Sequence, residues 1–335
     1  MTDSGDSMIR CEGLTKHYGE VKALENLDLA IGRGQVFGYI GHNGAGKTTT
    51  IRILAGLLEA TSGSASVAGV DVAADRQRIK SLVGYMPDQF GVYERMRVWE
   101  YLDFFGAAFG IPRKRRRNRI DHVLEVTDSQ DIRDRFVDTL SRGMKQRIGI
   151  ARTLVHDPQV LLLDEPASGL DPQARVHMRR LLRRLAESGK TLLVSSHILP
   201  ELAAVCDLIG ILHKGRLRAA GPIGKVLASL RRDRLVELKA LAGLKDAAAL
   251  IAREKSCSQL DESDAASGLL RFSFRGDDGA LADLLGRLCA AARVVTLREI
   301  PLSLEDAYMA ISGIDLAEEP AGPGPQNPEG GKAKA

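Results

Sequence analysis

The run "GHNGAGKT" (Gly41 to Thr48) places glycines at 41, 44 and 46 ahead of a lysine and a threonine, the pattern G-x-x-x-x-G-K-[ST]. Glycines so spaced let the main chain curl until successive N–H groups face one centre, which suits the oxygens of an anion. The apolar strand candidate "QVFGYI" precedes the run and the helical "TTTIRILAGLL" follows it, so a helix N-terminus adds its partial positive charge. Lys47 would then reach the β- and γ-oxygens of a triphosphate, and Thr48 would offer its hydroxyl to a divalent cation. A glycine-rich structural turn is the competing reading, and it leaves the strand, the lysine and the threonine as coincidences.

"VLLLDE" (Val160 to Glu165) ends a buried-strand pattern in two adjacent acids, whose side chains leave a strand on opposite sides. At the carboxyl end of a strand in an open α/β sheet they border the ligand crevice. Asp164 suits a metal, held directly or through water, and Glu165 suits a general base that polarises water before a γ-phosphate. Two acids that merely close a strand are the plain alternative. His197 closes the next strand candidate, "TLLVSSH", and would emerge on the same edge as an orienting group, against the alternative of a solvated histidine. A second helix start opens at Ser141, a candidate N-cap followed by apolar positions at Met144, Ile148, Ala151 and Val155. Its free first-turn N–H groups make a second candidate anion site; a cap with no further role is the alternative.

These residues, taken in order, resemble the nucleotide-binding subunit of ATP-binding cassette (ABC) transporters. The resemblance rests on Walker A "GHNGAGKT", signature "LSRGMKQ", Walker B "LLLDEP", D-loop "SGLD" and the histidine of "SSH", and covers roughly residues 8 to 222. It implies ATP and Mg²⁺ as ligands. Gly41, Asn43, Gly44, Ala45, Gly46, Lys47, Thr48 and Thr49 would hold the nucleotide, Tyr18 of "KHYG" would stack on adenine, and Ser141, Gly143 and Asp171 would join the site in the assembled protein. The signature carries Arg142 where many members have a second glycine. In the Q-loop segment "GYMPDQFGVY" the turn aligns Asp88 with the expected glutamine and leaves Gln89 beside it, so either is the candidate oxygen ligand of Mg²⁺. Together with the C-terminal extension, these features resemble the branch that serves two-component exporters of drugs, polysaccharides or lipid-like cargo.

The elements that must position these residues follow from periodicity. Alternation in "LENLDLAI" marks half-buried strands, and strands alternating with helices from Val160 onward argue a mostly parallel sheet. With a helical insert over about 94–157, the pattern is α/β, and the resemblance implies a P-loop NTPase (RecA-like) core with an antiparallel β subdomain and that insert as its helical signature subdomain, inside an ATPase domain of residues 8–222. Within that insert "VWEYLDFFGAAFGI" and "RIDHVLEVTD" read as helices. From 225 to 313 the order strand, helix, strand, strand, helix, strand predicts a small accessory α+β domain of βαββαβ type, with "SLEDAYMAIS" packing nearby. Residues 316–335, rich in Pro, Gly and charge, are expected to be disordered.

The 335 residues carry a net charge of +4, four widely spaced cysteines with no C-x-x-C, and no stretch of about 18 apolar residues. The run "RKRRRNR" (Arg113 to Arg119) reads as a solvated helix face or as a contact for anionic lipid or a partner. The N-terminus lacks the layout of a secretory leader. These features predict a cytoplasmic chain, and the resemblance implies an ATPase, peripheral on the inner face of the plasma membrane, that pairs with a second copy of itself and drives a separately encoded transmembrane permease. A soluble ABC ATPase acting on nucleic acid or ribosomes is the alternative; with one cassette, no heptad run and no zinc spacing, nucleic acid is not expected.

Overall fold

The computed structural model describes residues 7–312 apart from 90, 92, 94, 231–232, 263 and 301–302. The tail expected over 316–335 lies outside the described residues.

The runs "VFGYI", "VLLLD" and "TLLVSS" form strands Val36–Ile40, Val160–Asp164 and Thr191–Ser196, each buried along its whole length. Strands hidden on both faces belong in a sheet flanked by helices on both sides. They lie at the centre of a six-stranded sheet ordered Arg216–Pro222, Leu208–His213, Val36–Ile40, Thr191–Ser196, Val160–Asp164, Val83–Met86. Its neighbours pair parallel except at the Arg216–Pro222 edge, which is antiparallel. Register sets Asp164 beside Ser195 and Ile40 beside Ser196, so the carboxyl ends of the three central strands share one edge.

An antiparallel sheet, ordered Val21–Gly32, Ser7–Tyr18, Ser62–Val67, Val70–Asp71, packs over one side. Its inward alternation buries Leu27, Leu29 and Ile31 with Ile51 and Leu54 of helix Lys47–Leu54 in one cluster. A second cluster joins the parallel sheet to helices Val98–Ala108, Arg113–Val126 and Arg142–Leu154 of the insert. The basic run lies on a helix, as expected, that starts at Arg113, seven residues before the first buried residue of the apolar stripe, Ile120, but its face is not wholly solvated. Arg116 pairs with Asp103 at 2.6 Å and Arg119 with Asp157 at 3.0 Å, so part of the run ties the insert together.

A third cluster is built on the four-stranded antiparallel sheet Cys257–Asp261, Leu269–Phe274, Arg234–Ala240, Val294–Ile300 with helices Leu244–Arg253 and Asp278–Ala291. Strand order and connections are those of a split βαβ unit. The last helix, Leu304–Ser312, departs from it: Leu304 and Tyr308 are buried in the same cluster as Ile40 and Leu199 of the first 222 residues.

Candidate active site

Local sequence places each group. Gly46 takes φ 111°, a conformation open to glycine, and a Cβ there would meet the Ala23 carbonyl oxygen at 2.6 Å. The loop thereby turns directly into helix Lys47–Leu54, whose first residue points back beneath it. The Lys47 side chain is 6% exposed; its Nζ donates to the Gly41 and His42 carbonyls and stands 3.6 Å from Glu165 Oε1. Burial holds this amine below its ordinary range, against Glu165 and Asp164, which pull it up.

Beside it, Thr48 Oγ1 donates to Asp164 Oδ2 at 2.7 Å and Ser195 Oγ donates to Asp164 Oδ1 at 2.6 Å. Glu165 N–H in turn donates to Ser195 Oγ at 3.1 Å. Glu165 adopts φ 53°, rare for a residue with a side chain, which turns its carboxylate toward Lys47 and His197. His197 Nδ1 lies 2.7 Å from Glu165 Oε2, a hydrogen bond in which the ring N–H donates and the carboxyl oxygen accepts. Glu165 Oε1 is buried without a hydrogen-bond donor. A buried amine resting on carbonyls and a buried carboxylate oxygen lacking a donor together fit a site built around polyphosphate and metal.

The remaining candidates fall into three places. Asn43 and Gly44 are exposed on the loop, Ala45 is buried within it, and Thr49 is half-buried on the helix. Tyr18 ends strand Ser7–Tyr18 at 47% exposure, with Lys16 Nζ 5.2 Å from its ring centroid. Asp88 and Gln89 are both exposed just beyond strand Val83–Met86, and because Met86 pairs with Leu163 they follow the edge that carries Asp164. Among the described residues neither makes a hydrogen bond or ion pair to Thr48 or Asp164.

Ser141, Gly143 and Asp171 come together elsewhere. Ser141 caps helix Arg142–Leu154, accepting from Met144 N–H at 3.4 Å, and Asp171 caps Pro172–Glu187, accepting from Ala174 N–H at 2.8 Å. All three line one cavity of about 310 Å³. Ser195 is the group that the sequence does not single out: "SSH" reads as a strand end, and only the parallel register brings this hydroxyl between the two acids.

This fold and edge define a P-loop ATPase. The family described as ABC transporter matches residues 24–168. The bacitracin transport ATP-binding protein BcrA of Bacillus licheniformis is 35% identical over 309 residues, 92% of this chain and 98% of that one. The structure of cbiO1 from Clostridium perfringens, part of the ABC transporter complex cbiONQ, aligns with TM-score 0.61 and 28% identity over 67% of this chain and 91% of that one. The dimeric bacterial ABC transporter cassette MJ0796 aligns at 0.58 and 25%, covering 64% of this chain and 99% of that one. The chain belongs to the ABC transporter family and is its ATP-binding, ATP-hydrolysing subunit, a class that works as dimers with membrane permeases.

Proposed function

We propose that this chain powers a two-component exporter from the cytoplasmic face of the plasma membrane, as a homodimer whose two nucleotide sites each draw on both copies. The observation that carries the chemistry is the convergence of Lys47, Thr48, Asp164, Glu165 and His197 at one sheet edge. In this reading Gly41 to Thr49 cradle the triphosphate with Lys47 as the mobile cation, and Tyr18 carries adenine. Thr48 and Asp164 hold Mg²⁺, with Asp88 or Gln89 as a further oxygen donor. A Mg²⁺ ion held there would supply charge neutralisation to the phosphate oxygens. Glu165 takes the proton of the attacking water, and His197, whose Nδ1–H is held by Glu165, leaves Nε2 as an acceptor that can orient the same water.

Export is supported by the Nod factor export ATP-binding protein I of Ralstonia nicotianae, 33% identical over 93% of this chain and 95% of that one. Among the described residues no helix is long and apolar enough to cross a membrane; in this reading the translocation path is supplied by a permease chain of the kind that subunits of this family work with. The helical insert offers that chain an exposed aromatic surface at Tyr93, Phe104 and Phe109.

The test is kinetic and physical. Glu165→Gln keeps shape and loses basicity, so hydrolysis should fall about 100-fold or more while ATP binding persists. Lys47→Ala should lose ATP binding itself. Affinity purification from membranes should recover a multi-helix membrane protein. Unchanged turnover in either variant sinks the site assignment, and recovery of ribosomes instead of a membrane protein sinks the exporter reading.

A further inference from the structure

Helix Leu304–Ser312 follows the accessory sheet in sequence, yet it buries Leu304, Ala307 and Tyr308, and two of these sit in the cluster of the ATPase core. There it packs on helices Leu199–Val205 and Ile223–Leu230 and strand Leu208–His213, and it touches the phosphate loop at His42. The His42 main-chain N–H donates to Tyr308 Oη at 3.3 Å, and the two rings meet edge to face with centroids 4.9 Å apart. A cavity of about 330 Å³ beside this contact is lined by His42, His197, Leu199, Glu305, Tyr308 and Met309. The C-terminal helix therefore forms one wall beside the edge that carries His197.

The hydrogen bond has a further consequence because of what lies on the same peptide unit. The Gly41 carbonyl and the His42 N–H belong to one planar group that turns as a body. Lys47 Nζ donates to the carbonyl end of that plane, and Tyr308 Oη accepts from its amide end. Rotation of this peptide breaks both bonds at once. Burial holds the Tyr308 hydroxyl in its protonated form, pushing its pKa up, so it remains a neutral partner at this position.

We propose that Tyr308 is a positioning residue for ATP binding: by clamping the Gly41–His42 peptide from outside, it fixes the carbonyl on which Lys47 rests and so links the accessory region to the nucleotide site of its own chain. The proposal rests on reading Lys47 as the phosphate-binding cation. Loss of the hydroxyl frees the first turn of the loop, and phosphate then has to order what the native protein holds ready. The ring contact with His42 supports the packing of the helix, and the hydroxyl supports the loop, so the two are separable.

The experiment uses the full-length protein and steady-state ATPase kinetics, with thermal unfolding followed in parallel. Tyr308→Phe retains the ring and removes only the hydroxyl. It should raise the KM for ATP about 3- to 10-fold with kcat within about 2-fold of wild type, the scale of one hydrogen bond. His42→Ala keeps the main-chain N–H, so adding Tyr308→Phe to it should raise KM by a similar factor. If Tyr308→Phe shifts the unfolding midpoint without changing KM, or changes neither, the helix only packs and the proposal is overturned. Lys47→Ala serves as the separate control: normal turnover there overturns the site reading itself, whereas lost ATP binding beside an unchanged KM in Tyr308→Phe overturns the clamp alone.

Discussion

Glu165 holds a left-handed backbone that costs a residue with a Cβ roughly 1–2 kcal/mol, and its neighbours offset that cost. Its N–H has two acceptors on Ser195, the hydroxyl at 3.1 Å and the carbonyl at 3.2 Å, while the same hydroxyl donates to Asp164. One fully buried serine thus orients both acids. Ser195→Ala should lower stability by about 1–3 kcal/mol, because Asp164 Oδ1 loses its donor inside the protein, and should raise the Mg²⁺ concentration needed for half-maximal ATPase activity. Denaturant unfolding and a Mg²⁺ titration check this, and a variant normal in both would show that Thr48 alone suffices to hold Asp164. That Lys47, Thr48, Asp164, Glu165 and His197 meet at one edge was legible because each sits in a short motif whose order along the chain carries its place. Ser195 was not, since its role comes from the strand beside it, more than thirty residues away in sequence.

At the scale of elements, the buried runs "VLLLD" and "TLLVSS" were legible as strands because nothing polar interrupts them before the edge. Helix Arg76–Leu82 escaped notice because it buries only Ile79 and so shows no periodicity, although Asp75 caps it by accepting from Arg78 N–H at 2.9 Å. Helix Leu304–Ser312 was legible as an amphipathic helix, but the surface it covers depends on tertiary packing that its own residues do not encode. The accessory sheet keeps a charge inside its central strand: the Glu237 side chain is 6% exposed and accepts from Arg298 at 2.8 Å and Arg271 at 3.0 Å. Arg298 first, then Arg271, hold this carboxyl below its ordinary 4.5, against burial. A lowered folded-state pKa means that the network stabilises fully above about pH 4.5 and that this stability is lost as pH falls through the lowered value. Glu237→Gln should therefore unfold the accessory sheet a few degrees below wild type at pH 7, and the gap should close as pH drops below 4.5. Melting curves from pH 7 to pH 3.5 check the sign; a gap that widens toward acid would contradict it.

For the whole molecule the question is why one chain carries two anion-binding helix starts. Lys47 lies under the phosphate loop, whereas Ser141 and Gly143 line a separate cavity with Asp171, and among the described residues no hydrogen bond or ion pair joins the two sets. A single nucleotide held by both sets requires two copies placed head to tail, each offering its loop to the signature helix of the other, and a closed two-fold pair satisfies both sites at once. In the proposed pair ATP would be part of the interface, so its binding would drive closure and its hydrolysis would remove the ligands that hold the pair shut. Glu165→Gln, which binds without turning over, should show a dimer by light scattering with ATP and Mg²⁺ that loosens with ADP. Mixing separates a shared site from two independent ones. Lys47→Ala spoils one side of a site and Gly143→Asp the other; a Cβ at 143 already comes within 3.2 Å of Ala174. Each variant alone should be inactive. An equal mixture that exchanges subunits makes half its dimers mixed, and each mixed dimer has one site free of both changes, so about a quarter of wild-type sites should return. If the mixture stays as inactive as its components while subunit exchange is demonstrated, the two motifs do not meet across a dimer, and the signature helix start is a structural cap.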